Sequence, residues 1–484
     1  MWNAVRRLLY SVYSISNWVA KTIKLQFIDR RRELEFLESK WREKKPQLLI
    51  VYGRRRVGKT MLLKEFLKNK PGAYILFTED SYQENLEKIK RALAQLTGRE
   101  YFREMKADLP RLFKYFAEEI GDKRVALVFD EFQYLVQLNR SVLSLLQESW
   151  DEHLSSTQVY MVLCGSSIGM MENLLSYKNP LYGRRTGQWK VTPFTLIEVA
   201  EMFPDKSFEE LVKIYAVFGG TPFYLAQVDP LKTIEENIKE KILRKGEVLY
   251  EEPEFLLREE FREPKTYKLI LKYIALGYTT LGELVNVTGL DRGNLSRYLD
   301  TLERLEIIGY KLPMGKKKRG RYYIRDYYIR FWFRYVYPNL SDLELGETDK
   351  VFESIRGDLE NYYAKVFEEV VLELLEKKIL DFGQHSVYTW WHKGEEIDAI
   401  AVGENKTVFI EVKWGEVTER EATRILERLK EKAEKTSVKG EKEYYLIARK
   451  VHGKAKPNVI DFAYLDRILR KNRIIQKENE ATNQ

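Results

Sequence analysis

The sequence predicts an α/β chain: a parallel sheet covered on both faces, then a mostly helical stretch, a compact basic unit and a second α/β body. Three observations predict it. Five apolar runs, QLLIVYG (47–53), AYILFTED (73–80), RVALVFDEF (124–132), VYMVLCGSS (159–167) and WKVTPF (189–194), alternate with amphipathic stretches. Continuous apolar runs of this kind belong to strands buried on both faces. A glycine-rich turn separates the first run from a helix-forming stretch, and beyond residue 350 a long helical pattern precedes several strands and another helix.

A length of 484 residues allows three or four domains with cores of their own. With 44% apolar and 32% charged residues the composition is that of a soluble globular chain. The net charge of +9 is modest for this length, so affinity for nucleic acid has to come from local patches. Lys, Arg and Glu are abundant while Gln, His and Cys are scarce, a bias that suits a hyperthermophile. Cys164 is the lone cysteine, which excludes an internal disulfide and points to a reducing, cytoplasmic compartment. One cysteine and four scattered histidines also argue against structural zinc.

Residues 1–25, beginning MWNAVRRLLYSVYSISNWVAKTIK, are basic and aromatic, but Ser and Asn interrupt the apolar run. They read as an amphipathic N-terminal extension. A membrane-surface anchor is the less favoured alternative, and a signal peptide fits worse. The core then spans 26–195, a helical stretch 196–255, a helical and basic unit 256–338 and the second α/β body 339–470. The piece NLSDLELGETD reads as a linker, and 471–484 as a polar tail.

VYGRRRVGKT supplies Gly53, Gly58, Lys59 and Thr60 in P-loop spacing between a strand and the helix MLLKEFLK. The backbone N–H groups of Gly53, Arg54, Arg55, Arg56, Val57 and Gly58 are expected to turn around the phosphates of ATP. Lys59 would reach the β- and γ-phosphates, and the Thr60 hydroxyl would ligate Mg²⁺. In VALVFDEF, Asp130 would hold Mg²⁺ and Glu131 would polarise the attacking water, so hydrolysis is expected rather than binding alone. The next strand delivers Ser166 and Ser167, which either sense the γ-phosphate or cap the following helix. LYGRRTG offers Arg184 and Arg185 as arginine fingers or as a solvated pair.

FIDRRREL, GRRRVGKT, VFDEFQYL, CGSSIGMM, LYGRRTG and GGTPFYL, in this order, resemble the archaeal P-loop ATPase family, related to AAA+ and signal-transduction ATPases. The resemblance runs over about 26–470. It implies a helical lid after the core, with Pro222 near the nucleotide. Members typically start near FIDR, so residues 1–25 are either an extension or the product of a start codon placed too early.

TTLGELVNVTGLDRGNLSRYLDTLERLEIIGY reads as helix, tight turn, helix, with Leu295, Leu299, Leu302 and Leu305 on the buried stripe. KLPMGKKKRGRYYIRD follows as two short strands around a basic tip. That is the layout of a winged helix. Arg292, Ser296 and Arg297 on the second helix and Lys316, Lys317, Lys318 and Arg319 at the tip are the candidate DNA contacts, with protein docking as the alternative. The aromatic run from Tyr322 to Tyr337 is expected to be core.

In EIDAIAVGENKTVFIEVKW a turn at GENK pairs Gly403 with Lys406 and sets Asp398 opposite Glu411. Lys413 lies two residues further on the same face. Opposed carboxylates repel unless a cation sits between them, so Asp398, Glu411 and the Val412 carbonyl are candidate Mg²⁺ ligands. Lys413 could position the attacking water, and Glu368, or its neighbour Glu369, could complete the site. Asp-x12-Glu-x-Lys after a helix resembles the PD-(D/E)xK nuclease superfamily, whose core runs helix, three strands, helix, strand; here Ile397 rather than Pro precedes Asp398. The expected architecture is therefore a parallel-sheet P-loop NTPase core with a helical lid, a winged-helix domain and a C-terminal α/β nuclease-like domain. The expected function is a cytoplasmic, DNA-associated ATPase using ATP and Mg²⁺, with a metal-dependent DNA nuclease. The alternative is a nucleotide-driven switch on an inactive nuclease fold. A homo-oligomer is compatible with both, since either arginine could act across subunits.

Overall fold

The computed structural model describes residues 30–261, 263–453 and 457–471. The extension expected over 1–25, and the tail beyond 471, lie outside them. The chain divides into two compact units, Met1–Thr192 and Pro193–Gln484.

In the first unit five strands form one parallel sheet: β1 (Gln47–Tyr52), β2 (Gly72–Leu76), β3 (Val125–Asp130), β4 (Val159–Gly165) and β5 (Gly187–Lys190), in the order β2-β3-β4-β1-β5. Every residue of β1, β3 and β4 is buried. Alternate residues feed opposite faces: Leu48, Ile50 and Leu127 join one core, while Leu49, Val51 and Val128 join the other. Each such side chain contributes about 1.5–3 kcal/mol when fully buried, which is why the runs are apolar without alternation. Because β4 lies between β1 and β3, the turn after β1 and the carboxylates after β3 open at the same sheet edge, with the end of β4 between them.

The second unit opens with helices that include Leu196–Met202, Phe208–Phe218 and Pro222–Leu225; Pro222 occupies the first turn of the last of these. Helices Leu281–Thr288 and Arg292–Arg304 start at Thr280 and Asp291, whose side chains accept from the first-turn N–H groups. Leu295, Leu299 and Leu302 are fully buried. An antiparallel pair follows, β6 (Ile308–Lys311) and β7 (Arg321–Ile324). The aromatic stretch after it is core: Tyr328, Phe331, Trp332 and Phe333 are buried. The segment read as a linker contains a short helix, Leu340–Glu344, with Leu343 fully buried and Leu340 partly buried against the same core; these apolar anchors were hidden among turn-forming residues.

The 29-residue helix Thr348–Glu376 then leads to β8 (Gln384–His392), β9 (Glu395–Gly403) and β10 (Lys406–Thr418), helix Glu419–Glu434, β11 (Glu441–His452) and β12 (Val459–Asp461). The sheet order is β12-β11-β10-β9-β8, antiparallel from β8 to β10 and parallel from β10 to β12. Among the described residues no helix is long and apolar enough to cross a membrane.

Candidate functional site

The P-loop of the first unit is shaped by close approach and by left-handed backbone. A Cβ on Gly53 would stand 2.2 Å from the Val191 carbonyl oxygen, so only glycine fits there. Gly58 (φ 92°) caps the helix Lys59–Leu67, and Arg56 (φ 68°) also takes the left-handed region. Arg30, buried beside the loop, donates to the carbonyls of Val57 (2.7 Å) and Thr192 (2.8 Å). Val57 is buried, while Arg55 donates to the Tyr134 hydroxyl at 3.0 Å.

Lys59 is buried and donates to the carbonyls of Gly53 (2.8 Å) and Arg54 (2.9 Å). Burial lowers its pKa, against the pull of Cys164, Glu131 and Asp130. Thr60 donates to Asp130 Oδ2 at 2.7 Å, and so does Tyr74, from the neighbouring β2, at 2.5 Å. The other oxygen of the fully buried Asp130 accepts from the Glu131 N–H at 2.9 Å. Thr60 and Asp130 offer hard oxygens side by side next to the loop, a donor set that fits Mg²⁺.

Glu131 has φ 54°, costly for a residue with a side chain, and such outliers gather at functional sites. Its Oε2 accepts from Ser166 at 2.7 Å and from the amide of Gln133. That amide also donates to Ser166 Oγ at 3.0 Å. Gln133 is 2% exposed, and a Cβ on Gly165 would sit 2.4 Å from its Oε1. Ser167 is the N-cap of helix Ile168–Leu174. Arg184 forms a two-pronged pair with Asp151 at 3.0 and 2.8 Å. Arg185 donates to the Leu175 carbonyl at 3.0 Å. Among the described residues neither arginine hydrogen-bonds to the P-loop. Tyr74 and Gln133 escaped the sequence reading. Tyr74 needed the β2–β3 pairing to be known, whereas Gln133, two residues after Glu131, was in plain view without a reason to face inward.

In the second unit β9 and β10 pair Thr407 with Val402 and Ile410 with Ala399, and the same register sets Asp398 opposite Glu411. The Val412 N–H donates to Asp398 Oδ2 at 2.7 Å. Glu411 is nearly buried and held by two lysines, Lys413 on its own strand and Lys432 from helix Glu419–Glu434, both at 2.9 Å. The carboxylates that converge, within 4.8 Å of one another, are those of Asp398, Glu368 and Glu396. Glu396 was missed, although strand periodicity puts it on the face of Asp398. Glu369 forms a two-pronged pair with Arg330 at 2.7 and 3.1 Å.

Burial, then the charges of Glu411 and Glu368, push the Asp398 pKa up to about 7. Burial also raises Glu368, against Lys365. For Lys413, burial works against the charge but Glu411, Asp398 and Glu368 outweigh it and hold the pKa up. Clustered acids that resist ionisation are relieved by a cation, and all-oxygen donors fit Mg²⁺ or Mn²⁺.

The β6–β7 hairpin is fastened beside these carboxylates. The Met314 N–H donates to the Thr389 carbonyl at 2.8 Å, and Trp391 Nε1 donates to the Arg319 carbonyl at 3.2 Å. Arg321 pairs with Glu396 at 2.9 Å and lies 4.6 Å from the Trp391 ring centre. Lys316, Lys317, Lys318 and Arg319 at the hairpin tip are exposed, as are Arg292 and Arg297; Ser296 is half-buried. Hairpin, long helix and sheet border a half-open cavity of about 1160 Å³ onto which Glu368, Glu396 and Asp398 open.

Residues 27–228 match a family described as an ATPase domain predominantly from Archaea. Residues 332–425 match one described as archaeal and bacterial proteins of unknown function. An uncharacterized protein of Methanocaldococcus jannaschii, MJECL04, is 38% identical over 440 residues, covering 88% of this chain and 97% of the relative. Among solved structures, the Walker-type ATPase paby2304 of Pyrococcus abyssi is 23% identical, covers 63% of this chain and 96% of its own, and has a TM-score of 0.46. The ORC2 protein of Aeropyrum pernix, in its ADPNP–ADP complexes, is 15% identical with a TM-score of 0.43, covering 69% of this chain and 96% of its own.

Proposed function

We propose, from the premise that the chain belongs to the archaeal P-loop ATPase family, that it hydrolyses ATP while bound to DNA and cuts DNA at its C-terminal body. In the first unit the P-loop N–H groups bind the phosphates, and Lys59 exchanges the carbonyls of Gly53 and Arg54 for the β- and γ-phosphates. Thr60 and Asp130 would hold Mg²⁺, which supplies charge neutralisation at the phosphates when bound. Glu131 orients the attacking water, and Ser166 keeps that carboxylate in place. Arg184 or Arg185 serves as a finger only after leaving Asp151 or the Leu175 carbonyl, within one copy or across a homo-oligomer. Dependence on ATP and the single reduced cysteine fit the cytoplasm.

In the second unit the pair of capped helices and the basic hairpin support a winged helix. Its exposed Arg292, Arg297 and tip lysines would meet phosphates, with Ser296 beside them. The order helix, three strands, helix, strand supports a PD-(D/E)xK fold. The observation that carries the nuclease reading is the convergence of Glu368, Glu396 and Asp398 next to Glu411 and Lys413. These carboxylates would hold Mg²⁺ or Mn²⁺, which supplies Lewis acidity toward a phosphodiester. Lys413 stabilises negative charge on the phosphate, and Lys432 holds Glu411.

One observation favours the rival reading, a nucleotide-driven switch with an inactive nuclease fold: Glu411 and Glu396 already have cationic partners within the chain. A cleavage assay on labelled linear and branched DNA with Mn²⁺, with and without ATP, separates the two. Cleavage is expected for the wild type, and loss of roughly 10²-fold or more for Glu411→Ala and Lys413→Ala with ATP turnover unchanged. ATP turnover is expected to vanish in Lys59→Ala. Intact ATP turnover with no cleavage of any substrate would leave the switch.

A further inference from the structure

The cavity beside the candidate carboxylates sets the kind of DNA that can reach them. Its floor is the helix Thr348–Glu376 carrying Glu368, its wall is β8–β9 with Trp390, Trp391 and Asp398, and its roof is the β6–β7 hairpin with Lys311, Arg321, Tyr322 and Tyr323. The roof is tied down at Met314–Thr389, Arg319–Trp391 and Arg321–Glu396, each within 3.2 Å.

A duplex, whose major groove alone is about 12 Å wide, does not pass under a roof held by direct hydrogen bonds. A volume of about 1160 Å³ is close to the scale of pockets that enclose one drug-sized ligand, which is room for a few nucleotides of one strand. The lining suits unpaired bases. Trp391, Tyr322 and Tyr323 are half-buried and offer ring surface, and single strands are held by such rings with basic groups along the backbone.

The acidic groups of the lining are not all open to the space. Glu369 is paired with Arg330, and Glu373 accepts from the Leu196 N–H and the Tyr215 hydroxyl. The carboxylates of Glu368 and Asp398 face the space, with Glu396 paired to Arg321 beside them and Glu283 and Glu376 further along the lining, while Lys311 and exposed Lys365 lie nearby as cations. Outside, the lysine-rich hairpin tip remains exposed.

We infer that the substrate is DNA with a single-stranded end or flap. Duplex rests against the exposed hairpin tip, and the unpaired strand enters beneath the hairpin past Trp391 toward the carboxylates. This rests on the DNA reading proposed above and adds the substrate class to it.

The test is fluorescence anisotropy in EDTA with the full chain. Labelled blunt duplex, the same duplex with a 12-nucleotide oligo(dT) tail, and oligo(dT) alone are compared. The tailed duplex is expected to bind about 10-fold more tightly than the blunt one. Trp391→Ala removes that advantage and leaves blunt-duplex affinity and ATP turnover unchanged, while Trp391→Phe, which keeps a ring, retains most of it. Replacing Lys316, Lys317 and Lys318 together by alanine weakens blunt and tailed duplex alike. Equal affinity for blunt and tailed duplex, or an equal loss on both with Trp391→Ala, overturns the single-strand inference while leaving DNA association standing. No binding of any DNA by a chain that still turns over ATP overturns the DNA reading itself.

Discussion

At the scale of single residues, the arrangement around Glu131 makes a sharp claim about Gln133. A buried amide that donates to both Glu131 and Ser166 fixes the direction of the carboxylate and joins β3 to the end of β4. It touches neither nucleotide nor water in this reading, so it is a positioning residue. Gln133→Leu keeps the bulk and deletes both donors. The expected result is a fall in ATPase kcat of roughly 10²-fold with KM for ATP little changed, because the phosphate-binding loop is untouched. A matching rise in KM would mean that the loop itself had been disturbed, and an unchanged kcat would show that Glu131 needs no such support. The Gly165 position belongs to the same claim, since any side chain there meets the Gln133 amide.

At the scale of elements, legibility in the sequence followed burial. The five parallel strands announce themselves because two-sided burial demands unbroken apolar runs, and the β9–β10 register follows from one turn and a period of two. Asp398 opposite Glu411 could therefore be placed from the sequence alone. What the register could not give was the third dimension: Lys432 arrives from a helix and Arg321 from a separate hairpin, and these partners set the electrostatics of Glu411 and Glu396. The hairpin tip was legible as a charge run, but its fastening to β8 was not, since a backbone hydrogen bond such as Met314 to Thr389 leaves no mark on residue type. The tip also carries an element-level prediction. If Lys316, Lys317 and Lys318 each neutralise one phosphate, their joint replacement by alanine lowers the slope of log affinity against log salt by roughly 3. Affinity measured between about 50 and 200 mM salt checks it. An unchanged slope would show that the lysines are solvated and that DNA, if bound, lies elsewhere.

At the scale of the whole second unit, one half-buried carboxylate ties distant segments together. Glu373, on the helix Thr348–Glu376, accepts from the Leu196 N–H at 2.7 Å and from the Tyr215 hydroxyl at 2.9 Å, so three helices meet at one side chain. Burial raises its pKa to about 7 from an ordinary value of 4.5, reinforced by Glu198 and opposed by the two hydrogen bonds and by Lys377. The folded state therefore binds this proton more tightly than the unfolded chain does. The stability it confers is complete below about pH 4.5, declines as pH rises above that value, and is lost as pH passes through 7. At about 1.4 kcal/mol per pH unit, the decline is on the order of 3 kcal/mol. Glu373→Gln removes the titration while keeping an acceptor for the Leu196 N–H. The Tyr215 oxygen can accept from the new amide while its proton goes to the Phe194 carbonyl, 3.2 Å away. Urea unfolding is thus expected to show similar stability for variant and wild type near pH 5, and a more stable variant at pH 8. A variant that is weaker at both pH values would mean that the carboxylate holds the helices together in its charged form, and that the burial around it is compensated by its hydrogen bonds.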